Sequence, residues 1–442
     1  MDNRNSKNPA TMVGTFLDDD AGSTSILAFF FLLTTLVMGG LAVDFNKLMG
    51  HRTELQVGAD AVAHAALYNR ELNSADEAVT AAMDIADTML PYASQGNAIM
   101  PGDIVFGTWD RESRTFSPDP NSKTAVMVST QRIMERDNST GSILLGLIGR
   151  EKFDVRRNAV FETYQPACFT EGFVGEDVVD IQSNNSYFNG FCLHSNTYVS
   201  LNSNNFFEPG TVVSMPDKSE VDLPQSGFET NEGLDLALRD GAYRLRIINR
   251  LEDMVFSLNA GEADYVPDFI TGAGFIAVDA NNTVVPSDFT TGRKHKIWCN
   301  GGNALKFDGQ LFSDILLVTN CKITFEQGAV IEDSVIVTTN TSAKSITAPS
   351  GLQLGRDDAC AEGGGSVLLT LGGVDVAANL AMFGSQILAR DDVLFAARAD
   401  GIQGASIVSG AGISGTSNMS MSHCAGSGME NIYTADYFRM VQ

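Results

Sequence analysis

The stretch "ILAFFFLLTTLVMGGLAVDFNKLMGHRTELQVGADAVAHAAL", residues 26 to 67, determines the fold of the N-terminal part of the chain. In it an apolar run continues without a break into an alanine-rich segment. No charged residue lies between Asp20 and Asp44, so residues 21–43 form one uncharged run. About 20 apolar residues span the hydrocarbon of a bilayer as a helix, and the run is long enough for this. It therefore predicts a retained transmembrane anchor at residues 21–43.

Two other interpretations of this run stay open. A cleaved signal peptide would use the small residues Gly40 and Ala42 as its cleavage site. The long leader and the acidic residues 18–20, where a basic region is expected, argue against it. A helix buried in a soluble core is the third interpretation.

Behind the run, apolar residues recur every seven positions, which predicts one continuous helix with an apolar stripe. Asp44 stands where the hydrocarbon ends, so we expect its charge to reach the interface. The stripe fits a stalk helix packed on the following domain, or a helix that packs against other pilin-like helices. The predicted helix-packing residues are Leu41, Leu48, Leu55, Ala59, Val62, Asp44 and Asp60.

The composition of the 442 residues indicates a folded, acidic protein. Hydrophobic residues make up 44% and the net charge is -25, so binding to nucleic acid, whose phosphates require Lys and Arg, is not expected. The 42 glycines and the many Asn, Ser, Thr and Val residues favour a turn-dense β structure.

All six cysteines lie far downstream of the apolar run, and their even number predicts disulfides in an oxidising compartment. Lys and Arg are almost equally frequent on the two sides of the run, so the positive-inside rule does not give its orientation. The cysteines give it instead, because disulfides require the oxidising side of the membrane. We expect a single-pass inner-membrane protein with a cytoplasmic N-terminus and its bulk in the periplasm or outside the cell. Pairing of sequence neighbours is our hypothesis among fifteen connectivities: Cys168 with Cys192, Cys299 with Cys321, and Cys360 with Cys424.

The N-terminal segment resembles TadG-like proteins of the Flp, or tight-adherence, pilus-assembly system. The pattern is an apolar span ending in "AVD" (42–44) and then "LQVGADAVAHA" (55–65). The blocks "DIVFGTWDRESRTF" (103–116), "TAVMVSTQR" (124–132) and "DVRRNAVFETY" (154–164) extend the resemblance over residues 14–165. It implies an accessory role in pilus assembly or a minor-pilin-like envelope component, with pilin or other tad assembly proteins as partners and no catalytic residue.

Two departures limit what the resemblance implies. Prepilins carry a Glu at the fifth mature position, which is Leu27 here when counted from Gly22, so processing by a prepilin peptidase is not expected. The chain also lacks the DxSxS motif of the von Willebrand A domains found in some TadG proteins, so no metal site of that kind is predicted.

We predict four segments: a disordered cytoplasmic leader (1–20), the span (21–43), a stalk helix with an α+β module (44–165), and an exported β-rich domain (166–442). Within the module, residues 74–90 read as a helix with Ser74 as its N-cap. In the last segment, short β-prone runs alternate with Asn- and Gly-rich turns, which favours a parallel β-helix or similar solenoid. A β-sandwich is the alternative. Residues from about 230 to 260 have a helical period and are interpreted as a helical insertion.

Two similar turns, "GRDD" (355–358) and "ARDD" (389–392), place paired carboxylates after strand-like runs. Such residues could form an acid/base set of a carbohydrate-active β-helix, or a calcium site. The alternative is two solvated turns, which we favour. The candidate set is Asp357, Asp358, Asp391 and Asp392.

We therefore predict a non-enzymatic, membrane-anchored structural protein without a cofactor. The competing hypothesis is a β-helical surface protein that binds or cleaves polysaccharide.

Overall fold

The computed structural model describes residues 23–279, 282–300, 304–424 and 427–442. The predicted disordered leader at residues 1–20 lies outside this range. The chain divides into two compact units. Unit 1 runs through Tyr164 and takes up Tyr437–Gln442, and unit 2 is Gln165–Asp436.

Unit 1 begins with a single long helix, α1 (Ser23–Arg70). At 1.5 Å per residue its 48 residues extend about 70 Å. The second helix, α2 (Ala75–Met89), starts at Ser74, which is the predicted N-cap. Ser74 and Glu77 form a reciprocal capping box, which satisfies two N–H groups that the first turn would otherwise leave open. A short helix, α3 (Tyr92–Gln95), follows.

The antiparallel sheet of unit 1 has the strand order β2-β1-β3-β6-β32, with β1 (Ile104–Asp110), β2 (Thr115–Pro118), β3 (Ala125–Arg132), β6 (Val155–Tyr164) and β32 (Tyr437–Met440). The three blocks that carry the resemblance, at 103–116, 124–132 and 154–164, contain strands of this sheet. The last strand reaches the sheet only after the whole of unit 2, so unit 2 is an insertion between two neighbouring strands. Unit 1 also has a separate hairpin, formed by β4 (Thr140–Gly141) and β5 (Lys152–Phe153).

The core of unit 1 lies between α1, α2 and this sheet, and many of its members are alanines, which let the helices approach closely. A buried charge ties the last strand in place: Glu162 on β6 accepts bonds from the guanidinium groups of Arg111 and Arg439. The fully buried residues include Leu55, Ala59, Val62, Ala63, Ala66, Leu67, Ala78, Ala82, Ala86, Val126 and Val128.

Unit 2 is a solenoid of parallel strands, as predicted, and the β-sandwich alternative is wrong. One face of the solenoid stacks Gly172, Cys192 and Val212, which are evenly spaced along the sequence. The number of residues from one to the next is the number in one coil. The interval is wider between the stacked pair Val335 and Val367 because the loop 355–366 is inserted there, which masks the repeat in the sequence. The strands are β7 (Gly172–Gly175), β8 (Val179–Ile181), β9 (Ser186–Phe188), β10 (Cys192–Ser195), β11 (Val199–Leu201), β12 (Asn205–Phe207), β13 (Val212–Met215), β14 (Asn231–Glu232), β15 (Leu238–Asp240), β16 (Phe275–Ala277), β17 (Thr283–Val284), β18 (Arg293–Ile297), β19 (Ala304–Phe307), β20 (Leu311–Ser313), β21 (Ile315–Thr319), β22 (Lys322–Phe325), β23 (Val330–Glu332), β24 (Val335–Thr338), β25 (Ile346–Ala348), β26 (Gln353–Leu354), β27 (Val367–Thr370), β28 (Val374–Ala389), β29 (Val393–Ser409), β30 (Ile413–Gly415) and β31 (Ser420–Ser422).

The coils are not stacked in chain order. Gly172 in the first strand of the solenoid pairs with Cys192 on one side and with Ser406 on the other. All three faces of the last coil, on β29, β30 and β31, pair with β7, β8 and β9 of the first. The chain thus enters the stack in its middle, winds outward to β15, and resumes at the opposite end with β16. It then winds back to close a seam against its own first coil.

The predicted helical insertion is only partly correct. Residues 230–260 contain β14 and β15, which belong to the solenoid because they pair with β12 and β13. The second part of the stretch is helical, at Arg246–Asn249 and Leu251–Ala260, whereas Leu234 and Leu238 in the first part lie in the coil core. The helices of unit 2 are α4 (Ala167–Thr170), α5 (Leu234–Ala237), α6 (Arg246–Asn249) and α7 (Leu251–Ala260).

Buried asparagines satisfy backbone groups at one corner of the solenoid. Asn185, Asn205 and Asn231 stack on successive coils. The side-chain oxygen of Asn205 accepts the N–H of Asn185 at 2.9 Å, and its amide donates to the carbonyl of Asn202 at 2.8 Å and to Asn231 Oδ1 at 3.0 Å. Because unpaired buried polar groups are costly, this row fixes the corner and the register of the coils.

Candidate functional site at the base of the apolar helix

The two halves of α1 have opposite environments. Apolar side chains of the first half are exposed, with Phe31 64% and Leu41 52% accessible. Further along, Leu55, Ala59 and Val62 are completely buried in the core of unit 1. Within the described residues, α1 is the helix that is long and apolar enough to cross a membrane. The exposed half indicates membrane anchoring, and the buried half attaches the anchor to a folded unit.

Asp44 stands at the boundary between these halves and is only 1% exposed. Its carboxylate accepts three backbone N–H groups of one loop, from Ile143 at 2.5 Å, Leu144 at 3.0 Å and Leu145 at 2.7 Å. Burial opposes ionisation of this carboxyl, but the three N–H donors and nearby Lys47 outweigh it and hold the pKa of Asp44 below its usual value. The carboxylate therefore closes the loop onto α1. That Asp44 lies at the level of the membrane interface stays a prediction.

The other predicted helix-packing residues are divided between surface and core. Leu48 is half-buried and packs against the core of unit 1. Asp60 is half-buried and accepts a bond from Gln56 Nε2 at 2.8 Å. The amide of Gln56 also donates to the carbonyl of Asn158 on β6 at 3.2 Å. These side chains fasten α1 to its own unit, whereas Leu41 is left on the exposed apolar surface.

The four candidate aspartates make separate local contacts. Asp357 forms an ion pair with Arg398 at 3.5 Å. Asp358 and Asp392 each accept a backbone N–H, at 3.0 and 2.9 Å, and the carbonyl of Asp391 accepts a serine hydroxyl. In the part of the chain that the structure describes, no group of three or more His, Cys, Asp or Glu side chains is placed to hold a metal ion.

The cysteines form three disulfides, and the pairs are those of the sequence-neighbour hypothesis. Cys168–Cys192 and Cys299–Cys321 each join residues about one coil apart, and Cys360–Cys424 joins the inserted loop to the segment after the last coil. Disulfides persist in oxidising compartments, so they indicate an exported domain.

The loop that holds Asp44 was missed in the sequence. It lies far downstream of Asp44 and reads "SILLGLIG" (142–149), an apolar run between the strands of the β4–β5 hairpin. An apolar run in the connection between two short strands is the signal that could have drawn attention to this loop, but periodicity does not connect it with Asp44.

Two family models match the chain. Residues 22–69 match the Flp pilus-assembly TadE/G-like family. Residues 172–425, more than half of the chain, match the family described as a domain of unknown function (DUF7867). No curated protein and no solved structure matches the chain.

Proposed function

We propose a structural role in Flp pilus assembly for this chain, which belongs to the DUF7867 family through its solenoid and carries a TadE/G-like segment at its N-terminal end. The TadE/G-like match supports involvement in pilus assembly. In our proposal the protein is an accessory or minor-pilin-like envelope component without enzymatic activity. It crosses the inner membrane once, with its N-terminus in the cytoplasm and its bulk in the periplasm or outside the cell.

The observation that carries this proposal is the division of α1 into an exposed apolar half and a half buried in unit 1. The buried half uses Leu55, Ala59 and Val62 for its own core, so these residues are not offered to a partner helix. The surface left for helix packing in the membrane is the exposed face that includes Leu41. We propose that pilin or other tad assembly proteins pack on this face, where close van der Waals contact drives association.

The charge of the whole chain agrees with a structural role. The chain carries a net charge of -25, which favours a solvated surface and resists nonspecific association. The hypothesis of polysaccharide binding or cleavage stays a prediction, since the four aspartates of the candidate set lie in separate local contacts.

Site-specific photocrosslinking in cells that assemble the pilus tests the proposal. A photoreactive residue at Leu41 should capture pilin or a membrane protein of the assembly system. The same residue at Leu72, a 64% exposed leucine just beyond the far end of α1, should not. Cross-links from Leu41 to lipid alone, with no pilus component at either position, would overturn the proposal.

The anchor itself has a separate test. N-terminal sequencing of the protein from membranes should give a start before the apolar run. A mature start at Val43, after the small residues of the signal-peptide hypothesis, would refute retention of the span.

A further inference from the structure

The apolar loop "SILLGLIG" (142–149) is held by its own strands and by side chains of α1. Its base is the pairing of Thr140 with Phe153 and of Gly141 with Lys152. Lys47 Nζ donates to the carbonyl of Gly141 at 2.7 Å, and the carboxylate of Asp44 accepts three N–H groups of the loop. The loop is thereby tied to α1 on two successive turns of the helix.

The loop also reaches back along α1 into the uncharged run. Gly40 is buried although its neighbours on the helix are exposed, and a Cβ built on it would lie 2.9 Å from Leu144 Cβ. Gly40 precedes Asp44 by about one helical turn, which places this contact about 6 Å further toward the centre of the span. The loop therefore lies beside the last turn of the segment predicted to cross the bilayer.

The surface at this place is apolar and continuous with the anchor. Ile143 is 57% exposed, and Leu41 and Phe45 on α1 are exposed as well. Arg150 and Lys152, on the returning arm of the hairpin, are exposed cations with one exposed anion, Glu151, between them. Apolar side chains beside cations are the pattern of elements that lie in a membrane interface, where the apolar part enters the acyl boundary and the cations meet the phosphates.

We propose that the loop 142–149 is a second membrane contact, inserted into the headgroup and acyl boundary beside α1. The depth of about 6 Å set by the Gly40 contact agrees with the roughly 5–10 Å to which interfacial apolar elements are buried. Asp44 acts here as a positioning residue, because its carboxylate holds the loop at the level of the bilayer surface. Two contacts instead of one restrain unit 1 from rotating about the anchor. This inference rests on the membrane anchoring in the proposed function.

Fluorescent labelling of single introduced cysteines in the full chain tests the inference. All six native cysteines are in disulfides, so an introduced thiol is the group that reacts. Ile143→Cys and the control Leu72→Cys, both at exposed apolar positions, carry an environment-sensitive dye in proteoliposomes of neutral and anionic phospholipids. At position 143 we expect blue-shifted emission and strong quenching by lipids with a nitroxide on the upper acyl chain. At position 72, about 40 Å along the helix, we expect neither.

Flotation of the same proteoliposomes separates the two levels of the argument. If both variants fail to float, the anchor is wrong and the proposed function falls with it. If both float but the dye at position 143 is as accessible to a water-soluble quencher as the dye at position 72, the anchor holds and the loop inference is refuted. Protection at position 143 that persists in detergent and is insensitive to lipid nitroxides would indicate a protein partner and would also refute it.

Discussion

Replacing Asn205 with Ala should destabilise the solenoid far more than any exposed asparagine does. The substitution removes the acceptor of the Asn185 N–H and the donor to the Asn202 carbonyl, and it also removes the bond to Asn231. Each buried backbone group left unsatisfied costs about 1–3 kcal/mol and a lost neutral bond about 1 kcal/mol, so we expect a loss of about 3–5 kcal/mol. That is a large share of the roughly 5–15 kcal/mol that stabilises a typical domain.

Hydrogen exchange of the intact protein, read by mass spectrometry on peptides covering residues 183–206, measures this loss. A loss of about 3 kcal/mol corresponds to exchange that is roughly a hundredfold faster, because every ~1.4 kcal/mol is a factor of ten. Asn202→Ala is the matched control, since its side chain is exposed and its carbonyl is unchanged. Exchange in Asn205→Ala within a factor of five of the control would refute the role given to the asparagine row.

Three further predictions concern the anchor and the disulfides. Gly40→Ala should loosen the loop 142–149 and raise the rate of its proteolysis, because the new Cβ would lie 2.9 Å from Leu144 Cβ. Gly39→Ala is the control, since a Cβ there has no atom within 4 Å and should leave the rate unchanged. Equal cleavage of the two variants would contradict the contact. Because the pKa of Asp44 is lowered in the fold, its stabilising effect is complete above the usual Asp pKa and is lost as the pH falls through the lowered value. Protection of the loop amides should therefore be constant from pH 8 to 5 and fall only below the ordinary range of an Asp, and a loss near pH 6 would argue against the assignment. Replacing both Cys168 and Cys192 with Ser should lower the free energy of unfolding by about 3 kcal/mol, because the bridge no longer restricts the unfolded chain. The loss should appear as faster hydrogen exchange of the amides in the first coil. An unchanged exchange rate would show that the bridge does not stabilise this coil.

The sequence allowed local features to be predicted, and it failed where distant segments meet. The continuity of α1 follows from its uninterrupted run and stripe, and the cap at Ser74 follows from the serine and the glutamate three residues later. The partner of Asp44 could not be predicted, because a carboxylate and a loop so distant along the chain share no pattern. The same holds for the seam, where Gly172 meets Ser406. In residues 230–260 the helical prediction holds for α6 and α7, but tertiary pairing places β14 and β15 in the solenoid.

The seam has a consequence for how the protein can be made. The first coil is synthesised long before β29, which pairs with the free edge of β7. In unit 1, β6 is likewise synthesised long before its partner strand β32. Until then both present unpaired strand edges, which readily recruit other chains. A nascent or truncated polypeptide that ends before residue 405 has neither edge covered. Completion of both units depends on arrival of the same last segment, so premature termination or stalled export should yield an aggregation-prone product rather than a smaller working protein.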